Sequence, residues 1–180
     1  MRGTLRTFRA IRKRRGAPGN RGFTLIEIAI VLGIVAILST LAVTAYIRFI
    51  DQSRVKQTIA NIRLIEQAIK RFEFDNMRLP NSLNELGPIA ILNDKGNTVT
   101  QSPPFLDAYG NTFQYLNFAN EPPGWPHCRR DGVDKPLSLD YDLFSMGADG
   151  VSHQKLNHAN SRDDIVRARS GAFVDLASKY

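Results

Sequence analysis

Twenty consecutive residues without a charge, Ile28 to Ile47 (IAIVLGIVAILSTLAVTAYI), constrain this 180-residue chain more than any other feature. At ~1.5 Å rise per residue, a helix of that length covers ~30 Å, the thickness of a bilayer's hydrocarbon core. The run therefore predicts a single-pass span. Residues 1–22 ahead of it hold eight basic residues (Arg2, Arg6, Arg9, Arg12, Lys13, Arg14, Arg15, Arg21) and no acidic one. Such a leader stays in the cytoplasm and places the C-terminal body across the membrane. The alternative is a secretory signal peptide cut near Val43-Thr44-Ala45. Against it, the run exceeds the ~7–15 residues of a signal h-region, and Arg48 and Asp51 lead into further helical sequence.

The same leader accounts for the charge. The chain carries a formal +7 and a pI near 9.9, which by itself would suggest a nucleic-acid partner. Removing the leader's eight basic residues from the total of 24 leaves 16 against 17 acidic ones, so residues 23–180 carry −1. The body has no electrostatic footprint for nucleic acid. Cys128 is the single cysteine, which excludes an intrachain disulfide. An exported domain must then be held by its core, its neighbours or a metal ion.

Beyond the span the helical pattern continues. Val55, Ile59, Ile62, Ile65, Ile69 and Phe72 recur at steps of three and four, the period of a helix with one buried stripe. Arg54, Lys56, Arg63, Glu66, Lys70, Arg71 and Glu73 fall largely off that stripe and are expected in solvent. No proline interrupts residues 23–79. One helix of ~50 residues, ~75 Å long, is expected, with Gly33 as a weak point.

Just before the span, Gly22-Phe23-Thr24-Leu25-Ile26-Glu27 resembles the cleavage and methylation site of type IV prepilins and type II secretion pseudopilins. The resemblance covers about the first 50 residues. It implies that a membrane peptidase cuts between Gly22 and Phe23 and that the new amino terminus, Phe23, is methylated. A carboxylate at the edge of an apolar run is costly to bury unless it is paired. Glu27 is thus either an interfacial residue reaching back to the headgroups or, as the resemblance implies, the partner of the Phe23 amine on a neighbouring copy.

The remainder reads as a small mixed head. Arg78-Leu79-Pro80 should end the long helix, and Asn81 or Ser82 could cap a short one through Leu86. Asn93-Asp94-Lys95-Gly96-Asn97 has turn chemistry. A turn at Tyr109-Gly110-Asn111 followed by alternating Phe113 and Tyr115 predicts a strand, as does Ser138–Ser145. Residues 120–136, rich in proline, glycine and charge, read as a loop. The expected order is long helix, loops, two or three short antiparallel strands and a polar tail.

Two of these segments resemble the major pseudopilin of type II secretion systems. Asp107-Ala108-Tyr109-Gly110-Asn111-Thr112-Phe113 is similar to one of its turns, and Tyr141–Gly150 to the strand that leads into its calcium-binding loop. The resemblance implies Ca²⁺, with side-chain ligands at Asp149, Asp163 and Asp164 and backbone carbonyls at Leu143 and Met146. Ca²⁺ takes ~6–8 oxygens. Val151–His158 replaces the family's glycine-rich stretch. The alternative without a metal is that Asp149 caps a turn and Asp163-Asp164 opens a C-terminal helix. His127, Cys128, His153 and His158 lack a zinc-ligand spacing and read as surface loop residues.

The fold class expected is α+β: a long N-terminal helix, transmembrane then amphipathic, packed on a small antiparallel sheet with a calcium-type loop, the type IV pilin-like fold. The expected divisions are a leader at 1–22 removed by prepilin peptidase, a transmembrane and fibre-core helix at 23–50, and a periplasmic head at 51–180. The resemblance implies a non-enzymatic subunit in a bacterial inner membrane. It would polymerise with itself and other pseudopilins on an assembly platform driven by an ATPase. A type IV or minor pilin, and a membrane-anchored binding module that never polymerises, are the alternatives.

Overall fold

The structure is a computed structural model that describes residues 22–180, so the basic leader up to Arg21 and its expected removal lie outside the described residues. The chain divides into two units, Met1–Thr44 and Ala45–Tyr180. One helix, α1 (Leu25–Asn76, 52 residues), contributes to both.

In the first unit α1 begins at a cap. The Thr24 hydroxyl accepts the Glu27 N–H at 3.2 Å, and the Thr24 carbonyl accepts the Ile28 N–H at 3.2 Å. These bonds satisfy donors that a helix start leaves free. Further along, the Ser39 and Thr40 hydroxyls donate to the carbonyls of Val35 and Ile37 at 2.7 Å, and Thr44 donates to Thr40 at 3.1 Å. The serine and threonine hydroxyls of the span are thus served by the helix itself, as a lipid environment requires. Every side chain from Phe23 to Thr44 is exposed.

In the second unit the predicted stripe is the core. Ile62, Ile65 and Ile69 are fully buried and join Leu83, Phe105, Phe113, Tyr141, Leu143, Ile165 and Val174. The helix stops where Met77 takes a left-handed conformation (φ 54°), three residues before Pro80.

Two antiparallel sheets follow. A hairpin, β1 (Ile89–Leu92) and β2 (Thr98–Gln101), turns through Asn93–Asn97, whose Asn93 side chain accepts the amides of Lys95 and Asn97. A four-stranded meander runs β3 (Gln114–Asn117), β4 (Tyr141–Ser145), β5 (Ile165–Ala168), β6 (Phe173–Leu176), in that spatial order. Buried Asn61 of α1 meets the edge of β1 as a strand would. Its amide donates to the Leu92 carbonyl at 2.8 Å and accepts the Leu92 N–H at 2.7 Å.

Three readings are corrected. The strands are not followed by a polar tail, and the alternative in which Asp163-Asp164 opens a helix does not hold: β5 and β6 complete the sheet, and all four residues of β5 are buried. Glu66 is not solvated. It accepts from Arg167 Nε at 3.1 Å and Arg63 Nη1 at 3.1 Å, with Lys70 at 3.5 Å. Arg167, itself 2% exposed, also forks both guanidinium nitrogens onto Asp140 at 2.8 Å and lies 4.0 Å above the Tyr141 ring. A buried carboxylate persists because cations face it from β5 and from its own helix.

Candidate functional site

Gly22, Phe23 and Thr24 precede the first helical turn in non-helical, exposed backbone. The Gly22–Phe23 peptide bond lies within this exposed stretch. Among the described residues nothing lies within 4 Å of where a Cβ on Gly22 would sit, and its φ is not left-handed, so their packing does not demand a glycine there. Glu27 stands three residues after the capping Thr24. Thr-x-x-Glu is the pattern of a capping box, a signal present in the sequence that explains a helix start without reference to any partner. A carboxylate in the first turn is also favoured by the helix dipole.

In the head, the two segments singled out in the sequence are bonded to each other. Asp107 organises its own turn, its Oδ1 accepting the amides of Tyr109 at 2.9 Å and Asn111 at 2.8 Å. Its other oxygen accepts the Ser145 hydroxyl at 2.5 Å, and Ser145 Oγ in turn accepts the Gly147 amide at 3.1 Å. Asn111 Nδ2 closes the ring on the Gly147 carbonyl at 2.8 Å. Gly147 must be glycine: its φ is 64°, and a Cβ would collide with the Asp163 carbonyl.

The expected calcium ligands are placed as follows. Leu143 stands inside β4 opposite Tyr115 and is buried; Met146 is half-buried just beyond that strand. Asp149 is exposed, and its Oδ1 accepts the Val151 amide at 2.8 Å. Asp163 turns its Oδ2 to the amides of Ala148 at 2.8 Å and Asp149 at 3.1 Å. Asp164 points inward, fully buried, and its Oδ2 accepts from Arg129 Nη2 at 2.5 Å and the Ser152 hydroxyl at 2.7 Å.

Among the described residues, no three His, Cys, Asp or Glu side chains gather in a group able to hold a metal ion. Asp164 Oδ1 is buried without a hydrogen-bond partner, yet it stands beside the Arg129 guanidinium. Asp149 and Asp163 each turn one oxygen to backbone amides. The three carboxylates thus do not converge on one centre, as the ~6–8 oxygens around Ca²⁺ must. As placed, these residues do not fit a calcium ion.

Arg129 is the residue the sequence did not reveal. It is 3% exposed, donates Nη1 to Ser152 at 2.5 Å, and lies 4.0 Å above the Phe144 ring. Its amide donates to Asp142 Oδ2 at 2.6 Å. Burial raises the Asp164 carboxyl and lowers the Arg129 guanidinium, each offset by the charge of the other. No local pattern announces this pair, whose members lie 35 residues apart.

The three histidines are exposed, as expected for loop residues, whereas Cys128 is buried. His153 and His158 stack with centroids 4.2 Å apart. Their Nδ1 atoms accept the amides of Lys155 and Asn160, and His127 faces Glu121 at 2.8 Å.

Comparison with known proteins agrees with this division. Residues 18–43 match the family described as "Prokaryotic N-terminal methylation motif", and residues 45–124 match "Type II secretion system (T2SS), protein G". Type II secretion system core protein G of Pseudomonas aeruginosa is 29% identical over 149 residues, covering 77% of this chain and 91% of that protein. The protein of the same name from Escherichia coli K12 is 28% identical over 145 residues, 76% and 87% of the two chains. Type IV major pilin protein PilA of Myxococcus xanthus is 36% identical over 77 residues, 43% of this chain and 35% of that pilin. No solved structure matches at comparable stringency. With a methylation motif, one apolar N-terminal helix and a protein G segment in a single sequence, the chain is type IV pilin-like and similar over most of its length to type II secretion system core protein G.

Proposed function

We propose that this chain is the structural subunit of a pseudopilus, the fibre of type II protein secretion, cut after Gly22 and N-methylated at Phe23. The observation that carries the reading is the order of parts. A methylation motif at 18–43 takes in most of the uncharged run of α1, no residue of whose apolar window is buried, and a protein G segment follows directly at 45–124. The relatives named core protein G are aligned over most of their own length.

On this reading the body lies in the periplasm and the basic leader on the cytoplasmic side of the inner membrane. The chain contributes shape and contacts, not catalysis. Apolar helices leave lipid for one another as copies and other pseudopilins join the fibre. Prepilin peptidase, an assembly platform and its ATPase are the partners required. Glu27 pairs with the Phe23 amine of an adjacent copy, so that two costly charges enter the fibre together.

Deletion of the chain should stop export of the secreted proteins, and cross-linking should give ladders of increasing size. Co-expression with the peptidase should shorten the chain by 22 residues. Glu27→Val should remove the ladders while leaving the shortened chain in the membrane. Undiminished ladders in that variant would end the pairing role. Intact export with lost surface motility would favour the type IV pilin reading, for which the similarity to PilA is the supporting observation. A processed chain that never cross-links would favour a monomeric binding module.

A further inference from the structure

The loop between β4 and β5, residues 146–164, is closed at two levels. At its mouth, Asp163 accepts the Ala148 and Asp149 amides and packs its own carbonyl against Gly147. Deeper, Asp164 and Ser152 converge on the guanidinium of Arg129, a residue from the separate segment 121–136. The backbone beside Arg129 follows the same course. The Arg130 amide donates to the Gln154 carbonyl at 2.9 Å, and the Leu156 amide donates to the Arg130 carbonyl at 2.9 Å. One strip of chain thus meets the loop through both its side chain and its backbone.

We infer that Arg129 is the loop's built-in cation, and that the 146–164 loop keeps its fold without calcium. A divalent ion organises such a loop by drawing several carboxylates to one centre. Here each carboxylate already has one oxygen engaged elsewhere. Asp149 holds its own turn, Asp163 is turned to backbone amides, and Asp164 faces a fixed positive charge. A guanidinium suits that task because it is permanently charged and presents several donors in one plane. Its two terminal nitrogens reach a carboxylate and a hydroxyl at once, while its face rests on Phe144. An ion approaching the remaining Asp164 oxygen would meet this cation at short range and be repelled. The inference concerns the stability of the head and stands whichever fibre the chain enters.

The test uses the full chain in detergent, with thermal unfolding followed by the fluorescence of Trp125, the only tryptophan. Millimolar calcium and excess EGTA should give Tm values within about 2 °C of each other. A loop built on calcium would melt about 10 °C higher with the ion present, and any reversible rise beyond about 2 °C overturns the inference. In Arg129→Gln, amide exchange at Ala148, Asp149 and Ser152 should accelerate about tenfold or more, with Ile62 and Ile65 unchanged. Unaltered exchange in the loop would equally overturn it. Should that variant fail to fold, the calcium comparison on the native chain decides alone.

Discussion

The two parts of α1 meet opposite demands with the same backbone. From Leu25 to Thr44 every side chain is exposed within the chain, and the hydroxyls bond only to the helix they stand on. From Ala45 to Asn76 one face is buried, and it includes three polar residues: Thr58, Asn61 and Glu66. Each has a named counterpart: the Ala108 amide, the Leu92 peptide, and Arg167 with Arg63. The first part asks only for apolar surface, which many residues supply equally well. The second asks for particular partners far away in sequence. Stability of the head should therefore depend on single residues in the second part and be indifferent to substitutions in the first.

The largest effect is expected at Arg167. Arg167→Ala leaves Glu66 and Asp140 facing each other without the guanidinium that joins them, and empties the space over Tyr141. Removing one partner of a buried pair costs about 3–5 kcal/mol, read as a fall in the urea midpoint of Trp125 fluorescence. A change under about 1 kcal/mol would mean the cluster is solvated, and the proposed contrast would lose its main support.

Ile65→Ala, at the centre of the core, should cost about 2–5 kcal/mol. The matched Ile34→Ala, at a residue that is 53% exposed, should shift the same transition by under about 0.5 kcal/mol. Equal effects at the two sites would break the comparison outright.

What could be read in advance follows the same line. Gly22–Glu27, the span at Ile28–Ile47 and the stripe from Val55 to Phe72 were legible because each signal is local: a motif, a composition, a period. The turn at Asp107–Asn111 and the strand at Tyr141–Ser145 were legible singly. Their union through Asn111 and Gly147 joins positions 36 residues apart and leaves no mark on local pattern. β5 and β6 were missed for a related reason. Each is four residues long, and Arg167 or Asp175 in the middle reads as solvent-exposed until the acidic or basic partner is known. The surroundings of the expected calcium ligands were hidden in the same way. Asp163 and Asp164 looked like free ligands because the side chain that engages Asp164 lies in a segment that reads only as loop.

A smaller effect separates two neighbouring carboxyls of the head by pH. Burial, offset in part by the Arg129 amide and guanidinium and by Arg167, pushes Asp142 up from 3.8 to about 6. Between those values the folded chain holds a proton that the unfolded chain has released. The stabilisation from Asp142 is thus fully present below 3.8 and is lost as pH rises through about 6. Asp140 behaves oppositely. Burial raises it, but the Arg167 fork and the Tyr141 amide outweigh burial and hold it below the usual range. Its contribution is present above the unfolded value and is lost only in stronger acid. Asp142→Asn should flatten the fall in stability between about pH 4 and pH 7, on the order of 2 kcal/mol. If the slope survives in that variant, another group carries it.

The smallest effect belongs to the first part of α1. Thr24→Ala removes the hydroxyl that accepts the Glu27 amide, a loss of about 1 kcal/mol at a helix start. The consequence should stay local. Hydrogen exchange at Glu27 should quicken about fivefold, and the urea transition of the head should not move. Thr24→Ser keeps the acceptor and should behave as the native chain does. This pair of variants also separates two roles for the Gly22–Glu27 segment. If Thr24→Ala loses cross-linked ladders while Thr24→Ser keeps them, the cap holds Glu27 in place for its neighbour. If both assemble normally, Glu27 finds the amine of the next copy without help from the first turn, and the cap serves the single helix alone.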